Sequence, residues 1–209
     1  MSGLRLALAR HGQTDSNVRR ALDSRPPGAP LNELGLAQAA ALAQRLATEP
    51  VTAVHASVAV RAQQTAAPVA AAHGLEVEIV DGVHEIFVGD LEGRADQGAR
   101  EHFEEVYQSW QRGDLDVRLP GGESARELRE RFVAAVEGIS ASATGTVVLV
   151  SHGAAIRLGA AALVGDTGEN AYLGNTGIVV LEAGMDGWRV EHWDPAPPHP
   201  GDVTAGGHA

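Results

Sequence analysis

Short apolar runs and longer stretches of helical periodicity alternate along most of the chain. Six runs predict β-strands, at residues 4–9, 51–56, 77–80, 146–150, 178–181 and 189–193. The run at 146–150 is almost wholly β-branched and apolar, which is typical of a strand covered on both faces. Strands that alternate with helices in this way predict a three-layer α/β domain with a mostly parallel sheet.

Apolar residues at helical spacing predict five helices, at residues 33–47, 59–72, 96–112, 124–140 and 154–164. Several of these segments begin with a capping signal. Asn32 and Ser57 are expected to cap the first two helices, and Ser124 with Glu127 predicts a capping box for the fourth.

The segments between these elements predict turns and loops within one domain. Three prolines fall between residues 24 and 31, and residues 82–93 lack a helical period, so both segments are expected to be loops. We expect a single domain over residues 1–193, followed by a Pro- and Gly-rich tail at 194–209.

Composition excludes several kinds of chemistry. The 209-residue chain contains no Cys, and all 16 of its basic residues are Arg. Thiolate nucleophiles, Cys-ligated metals, Schiff-base lysines and the lysine of a Walker A loop are therefore excluded. The formal net charge of −11 disfavours general binding to nucleic acid or to anionic membranes.

No apolar segment is long enough to cross a membrane, and the first apolar run is too short for the core of a signal peptide. We therefore expect a cytoplasmic protein that does not bind a membrane.

Two His-Gly pairs each follow a predicted buried strand. His11 stands beside Arg10 after the first strand, and His152 follows the strand at 146–150. Because parallel strands present their carboxyl ends at one edge, both histidines are expected to lie together there. The second and third strands lead to Arg61 and Glu85, so the same edge gathers two arginines, two histidines and a carboxylate.

This set of side chains suits phosphoryl transfer. The arginine fork matches phosphate oxygens, and a neutral imidazole nitrogen can attack phosphorus to form a phosphohistidine. A second, protonated histidine would add positive charge, and a carboxyl group would exchange protons with the leaving oxygen and water. The cations take the place of a metal, so no metal or cofactor is expected. No HExxH-like ligand spacing and no G-x-S-x-G serine-hydrolase motif occurs, so those interpretations are weaker.

Six motifs in order resemble those of the histidine phosphatase superfamily, in its phosphoglycerate mutase-like branch. They are RHGQT at 10–14 with Asn17, SVAVRAQQTA at 57–66, EIFVGDLEG at 85–93, PGGES at 120–124, SHG at 151–153 and Asn175-Thr176. The resemblance covers about residues 4 to 193. It implies an α/β/α sandwich whose mainly parallel sheet has an antiparallel edge strand.

The resemblance also implies a role for each matching residue. His11 would be the phosphorylated nucleophile, and a nearby carbonyl would accept the proton of its other ring nitrogen. Glu85 would be the proton donor. The phosphoryl group would be held by Arg10, Arg61 and His152, with help from Asn17 and the backbone of Asn175 and Thr176.

The motifs do not separate a phosphatase from a mutase. Cofactor-dependent mutases of the family carry an insert with Lys and paired Arg, whereas this chain has no Lys and no paired Arg between residues 93 and 120. We therefore expect hydrolysis of a small phosphorylated metabolite, which Arg19 and Arg20 could help to bind. A phosphoglycerate mutase and a non-catalytic phosphate-binding protein stay open as alternatives, as does a homodimer.

Overall fold

The computed structural model describes residues 3–165 and 171–196 and contains a six-stranded mixed sheet. The strand order is β3-β2-β4-β1-β5-β6. The four strands β1 to β4 are mutually parallel, whereas β5 runs antiparallel to both β1 and β6. The bounds are β1 Arg5–Arg10, β2 Val51–Ser57, β3 Val77–Val80, β4 Thr146–Ser151, β5 Ile178–Gly184 and β6 Gly187–Asp194.

Helices cover both faces of the sheet and complete the predicted three-layer architecture. They are α1 Asp15–Val18, α2 Glu33–Leu46, α3 Val60–Ala72, α4 Gln97–Gln111, α5 Ala125–Ser140 and α6 Gly153–Val164. The apolar side chains of a central strand alternate between two separate cores. On β1, Leu6 and Leu8 pack with α4, α5 and α6, while Ala7 and Ala9 pack with α2 and α3. The predicted fold class is confirmed.

Two of the predicted capping signals are confirmed and one is wrong. The Asn32 side chain accepts from Gly35 N at the start of α2, and Ser124 and Glu127 form the reciprocal capping box of α5. Ser57, however, is the last residue of β2, and α3 begins after Ala59 without a side-chain cap. The Ser57 hydroxyl instead bonds to His152, a partner that local sequence does not reveal.

Directly after the RHGQT segment at 10–14, Asp15–Val18 forms the short helix α1, which was not predicted from the sequence. Its capping box joins Thr14 and Asn17: the Thr14 hydroxyl accepts from Asn17 N, and Asn17 Oδ1 accepts from Thr14 N. This box fixes the start of α1 directly beside the carboxyl end of β1.

The last strand continues one residue beyond the predicted domain boundary. β6 ends at Asp194, whose carboxylate forms an ion pair with Arg45 of α2 at 2.5 Å. Pro195 then accepts a backbone hydrogen bond from Gly174. The remainder of the predicted tail, from residue 197, lies outside the described residues. No helix among the described residues has the length and apolarity needed to cross a membrane.

Gly159 allows α6 to lie close against Phe132 of α5. A Cβ added at Gly159 would lie 2.6 Å from Phe132 Cε1, and Phe132 is fully buried. We expect Gly159→Ala to lower the free energy of unfolding by about 1–3 kcal/mol, since a packed core has no room for the methyl group. Denaturant titration measures this change.

The matched control is Gly138→Ala, a helical glycine of α5 whose added Cβ would meet nothing within 4 Å. It should stabilise the protein by up to about 1 kcal/mol, through helix propensity alone. If both variants changed stability in the same direction and by the same amount, close packing at Gly159 would be refuted.

Candidate active site

The parallel pairing of β1 with β4 brings the two histidines together. Arg10 is in register with Ser151, so His11 and His152 leave the sheet side by side at its carboxyl edge. Their ring centroids lie 5.1 Å apart, and both side chains are buried. The juxtaposition predicted from the two His-Gly pairs is therefore present.

One tautomer of His11 is selected by its neighbours. Nδ1 lies 2.7 Å from the carbonyl oxygen of Gly12 and donates to it, while Nε2 accepts from Arg61 Nε at 3.2 Å. Nε2 therefore carries the lone pair of the ring, and this lone pair faces Arg61. Gly12 is required by a close approach, since a Cβ there would lie 2.6 Å from the carbonyl oxygen of Gly35.

Burial and two neighbouring cations keep His11 neutral. Desolvation lowers the pKa of His11 well below its usual value of 6.5, and the charges of Arg61 and Arg10 lower it further. A neutral imidazole with an unprotonated nitrogen is the form that can act as a nucleophile.

Arg61 is held by the loop between α1 and α2. Its Nη2 donates to the Asp23 carbonyl at 2.8 Å, and Nη1 lies 3.5 Å from the Asp23 carboxylate. Glu92 anchors this loop by accepting from the backbone N–H and the hydroxyl of Ser24. The second glutamate of the EIFVGDLEG motif therefore acts on the site indirectly, through the loop that holds Arg61.

Arg10 reaches the same cavity from the end of β1. Its Nη1 donates to the Leu173 carbonyl at 2.7 Å, and its Nε is buried without a hydrogen-bond partner among the described residues. Desolvation lowers the pKa of Arg61, although a guanidinium stays charged at neutral pH. Two cations therefore share the cavity with the neutral His11.

Glu85 is fixed at the N-terminus of α6. Its Oε1 accepts from the backbone N–H of Ile86 and of Ala155, both at 2.9 Å, and Oε2 accepts from Ala154 at 3.2 Å. Glu85 lines the same cavity as His11, Arg10 and Arg61. The loop after β3 and the start of α6 together set the orientation of this carboxylate.

His152 is oriented by Ser57, whose hydroxyl lies 2.9 Å from Nε2. Desolvation lowers the pKa of His152 well below its usual value, and the charge of Arg61 lowers it further. The protein alone therefore favours a neutral His152, and the positive charge expected of it during phosphoryl transfer stays a prediction. A phosphate dianion at this edge would oppose both effects and favour protonation.

The residues expected to assist with phosphate binding divide into two groups. Asn17 lines the cavity, and Thr14 N and Thr14 Oγ1 both direct a bond to its Oδ1, so its amide nitrogen is the group that remains for a ligand. Arg19 and Arg20 are exposed and lie outside the cavity lining. Nothing in their placement supports a contact with substrate.

Asn175 and Thr176 also lie outside the cavity lining, which does not support the expected phosphate contact. Asn175 Nδ2 donates to the His11 carbonyl at 2.9 Å, and the backbone N–H of Thr176 donates to the Arg10 carbonyl at 3.1 Å. Their donors are used to hold the Arg10-His11 segment. They position the nucleophile from the side of β5.

The cavity has a volume of about 240 Å³ and extends well past the phosphoryl-binding groups. Its outer part includes side chains that sequence reasoning did not select: Leu22, Phe103, Glu104, Tyr107, Arg157 and Tyr172. The signal in the sequence that could have found these residues was their helical spacing. Arg157 follows Gly153 and Ala154 by four and three residues on α6, and Tyr107 follows Phe103 by four on α4.

Within residues 3–165 and 171–196, no group of three or more His, Asp or Glu side chains is arranged to hold a metal ion.

The mixed α/β sheet thus presents a buried histidine, with Arg10, Arg61 and Glu85 in the same cavity, at the carboxyl ends of its parallel strands, which is where open α/β sheets bind ligands. Residues 6–195 match the family model described as the histidine phosphatase superfamily, branch 1, and the chain belongs to this family.

Similar proteins carry more than one activity in their names. The chain is 34% identical over 154 residues to a probable phosphoglycerate mutase GpmB of Yersinia pestis, covering 73% of this chain and 71% of the relative. A mycobacterial glucosyl-3-phosphoglycerate phosphatase superposes with a TM-score of 0.79 at 27% identity, covering 92% of this chain and 99% of that one. A putative α-ribazole-5′-P phosphatase of Escherichia coli gives 0.77 at 25% identity, covering 92% and 97%.

The lowered pKa values of His11 and His152 predict how stability depends on pH. Between pH 6.5 and the folded-state values, the unfolded chain binds a proton at each histidine and the folded protein does not. The free energy of unfolding should therefore fall as pH falls below about 6.5, by up to about 1.4 kcal/mol per pH unit for each histidine.

Denaturant titrations at pH 7, 6 and 5 test this prediction on the wild type, His11→Gln, His152→Gln and the double variant. Each single substitution should make the free energy of unfolding fall less steeply as the pH is lowered, and the double variant should show the sum of the two reductions in slope. A slope that is the same in all four proteins would contradict the neutral, buried state of these rings.

Proposed function

We propose that this protein is a metal-independent phosphomonoesterase that passes a phosphoryl group from a small metabolite to His11 and then to water. One observation carries the proposal: the lone pair of a buried, neutral His11 Nε2 stands between Arg61 and Arg10, with the Glu85 carboxyl group in the same cavity. Nucleophile, charge stabilisation and proton transfer are thus all available at one place.

In the first step, the Nε2 lone pair forms a bond to phosphorus while the bond from phosphorus to the leaving oxygen breaks. Glu85 gives a proton to that oxygen, and the alcohol departs. The Gly12 carbonyl accepts a hydrogen bond from Nδ1–H and so stabilises the imidazolium that develops. Arg10 and Arg61 bind the equatorial oxygens of the transferring group.

In the second step, water attacks phosphorus and the P–N bond breaks. Glu85 takes the proton from the water, and the electron pair returns to Nε2, which regenerates neutral His11 with inorganic phosphate. A phosphate dianion would favour a proton on His152, so His152 would add charge while the phosphoryl group is bound.

The second candidate function is phosphoglycerate mutase, which the name of the Yersinia relative favours. A mutase must hold its bisphosphate while the molecule reorients, and this needs further cations around the cavity. Among the described residues, Arg157 is the one arginine besides Arg10 and Arg61 that lines the cavity. None of the four arginines between residues 93 and 120 does so, and Arg94 and Arg118 are paired with Asp96 and Glu127. This arrangement favours hydrolysis of the ester over transfer of the phosphoryl group to another position of the same molecule.

The size and polarity of the cavity support a small phosphorylated metabolite as substrate. A cytoplasmic location and a homodimer stay predictions from the sequence. A binding protein without turnover is the third alternative, and formation of a phosphoenzyme separates it from both enzymes.

Phosphorus NMR in EDTA tests the proposal. The purified protein is given 3-phosphoglycerate, with and without 2,3-bisphosphoglycerate, beside a panel of phosphate monoesters that includes p-nitrophenyl phosphate. We expect free phosphate from at least one ester, no dependence on the bisphosphate, and no loss in EDTA. A 2-phosphoglycerate signal that requires the bisphosphate would establish the mutase instead.

His11→Ala serves as the mechanistic control in the same experiment. It should lose turnover by at least ~10³-fold, because it cannot form the phosphoenzyme. His102→Ala, on the exposed face of α4 and outside the cavity, is the matched control and should keep full activity. Comparable activity in the two variants would refute a covalent intermediate on His11.

Glu85→Gln tests the proton donor. We expect it to slow hydrolysis of alkyl phosphates by about 10²- to 10⁴-fold, because an alkoxide needs a proton to leave. With p-nitrophenyl phosphate the loss in formation of the phosphoenzyme should be under about 10-fold, since p-nitrophenolate leaves without one. Single-turnover rates of phosphoenzyme formation with both esters measure the two losses. Equal losses would show that Glu85 is not the proton donor.

A further inference from the structure

The PGGES segment at 120–124 takes no part in the reaction proposed above, but it packs against the loop that carries Glu85. Glu123 N donates to the Phe87 carbonyl at 2.8 Å, and Phe87 N donates to Glu123 Oε2 at 3.3 Å. The PGGES motif is therefore joined to the EIFVGDLEG motif by hydrogen bonds that run in both directions.

Glu123 also holds an arginine of α5 in a fixed plane. Arg131 Nε donates to Glu123 Oε1 at 2.6 Å, and Arg131 Nη2 donates to Oε2 at 2.8 Å, which is the two-point pairing of a guanidinium with a carboxylate. Both side chains are largely buried, with exposed fractions of 17% and 11%. Solvent therefore screens this pair less than it would screen an ion pair on the surface.

The remaining N–H groups of Arg131 reach the loop that leads to Glu85. Nη1 donates to the carbonyls of Gly82 and His84, at 2.6 and 2.9 Å, and Nη2 donates to the carbonyl of Glu85 at 3.2 Å. A guanidinium has five N–H groups, and these contacts together with the two to Glu123 use each of them. One side chain therefore fastens the loop after β3 to α5.

Glu85 is consequently held at both ends. Its carboxylate accepts from the backbone N–H groups of Ala154 and Ala155 at the start of α6, while its own carbonyl accepts from Arg131. If the backbone of the loop shifts, the carboxylate must move relative to His11 or leave the N–H groups of α6. The contacts of Arg131 therefore help to fix where this carboxyl group lies in the cavity.

We propose that Arg131 and Glu123 are positioning residues for the proton donor Glu85. The proposal rests on the function proposed above, in which Glu85 protonates the leaving oxygen. Neither Arg131 nor Glu123 lines the cavity, so their effect passes through the loop and not through contact with substrate. Proton transfer needs a donor within hydrogen-bond reach of the leaving oxygen, and a displacement of about 1 Å can lower a rate by about 10²-fold.

Lysine cannot replace Arg131 in this arrangement. An ammonium group has its donors at one point, whereas the acceptors around Arg131 are distributed along a planar fork. Arg131→Lys keeps the positive charge beside Glu123 but leaves some of the loop carbonyls without their donor. The variant therefore separates the geometry of the loop from its charge.

Single-turnover rates of phosphoenzyme formation test the proposal, with p-nitrophenyl phosphate and with the alkyl phosphate that the wild type cleaves fastest. We expect Arg131→Lys to slow the alkyl ester by about 10- to 100-fold, because an alkoxide needs a well-placed proton to leave. The rate with p-nitrophenyl phosphate and the dissociation constant of inorganic phosphate should each change by less than about threefold, since neither depends on the proton donor. A general loss of packing would instead lower both rates together.

The matched control is Arg126→Lys, which makes the same change in another arginine of α5. Arg126 forms the same two-point contact with a carboxylate, that of Asp116, at 2.6 and 3.0 Å, but both side chains are exposed and Asp116 lies in the segment between α4 and α5. This control should leave both rates within about twofold of the wild type, as expected for an exposed ion pair.

A double-mutant cycle shows whether the effect passes through Glu85. In a Glu85→Gln background the proton donor is already lost, so Arg131→Lys should slow the alkyl ester by less than about threefold further. Equal slowing of both esters by Arg131→Lys, an undiminished loss in the Glu85→Gln background, or rates equal to those of Arg126→Lys would each overturn the proposal.

Glu123→Gln is the second variant, and it replaces Arg131→Lys if that protein does not fold. It weakens the anchor of the guanidinium without changing the contacts of Arg131 with the loop carbonyls directly. We expect the same selective loss with the alkyl ester, at about 3- to 10-fold, because a neutral acceptor holds a guanidinium less firmly than a carboxylate does. Equal losses with the two esters, or no loss with either, would count against the proposal.

Hydrogen exchange separates a failure of this proposal from a failure of the proposed function. The amides of Ala154 and Ala155 are bonded to the Glu85 carboxylate, so their exchange rates report its position whether or not an ester is turned over. A protein without turnover, or equal losses in Glu85→Gln, refutes the proposed chemistry. Faster exchange at both amides in Arg131→Lys than in Arg126→Lys then still supports the positioning of Glu85, and equal exchange in the two variants refutes it.

Discussion

The parallel register between β1 and β4 is the constraint on which the site depends. It places the residues after Arg10 and after Ser151 at one edge, so that two buried imidazole rings come within 5.1 Å. Every other part of the site is attached to this pair. Arg61 bonds directly to the first ring, Ser57 bonds directly to the second, and Glu85 is fixed to the helix that begins after the second.

Burial of these rings among cations has a chemical consequence. Two arginines and desolvation keep His11 neutral, which preserves the lone pair that would attack phosphorus in the proposed mechanism. The same environment disfavours a proton on His152 until a dianion approaches. The protein has a net charge of −11, and the charges of Arg61 and Arg10 act on His11 in a cavity that Asp23, Glu85 and Glu104 also line. The proposed anionic substrate would bind beside these two arginines.

The inner and outer parts of the cavity have different tasks. The inner part follows the motifs of the superfamily and supports the transfer step. The outer part, where Arg157 stacks on Tyr107, is formed by two helices that share no motif. The similar proteins are named as a mutase and as phosphatases of different substrates. These names fit the division, since one kind of transfer site can be combined with different outer walls.

By itself, the sequence determined the fold class, the order of the six strands and the five longer helices, and the caps at Asn32 and Ser124. It also predicted that Arg10, His11, Arg61, Glu85 and His152 would lie together at one edge of the sheet. These follow from local periodicity, from side chains adjacent to the backbone they cap, and from motif order. Only the tertiary structure decided that Ser57 serves His152, that Asn175 supports His11, that His152 is uncharged in the protein alone, and that Arg157 lines the cavity. The first three depend on distances and burial between segments far apart in the chain, of which local sequence carries no record, whereas helical spacing from Gly153 and Ala154 was a local signal for Arg157.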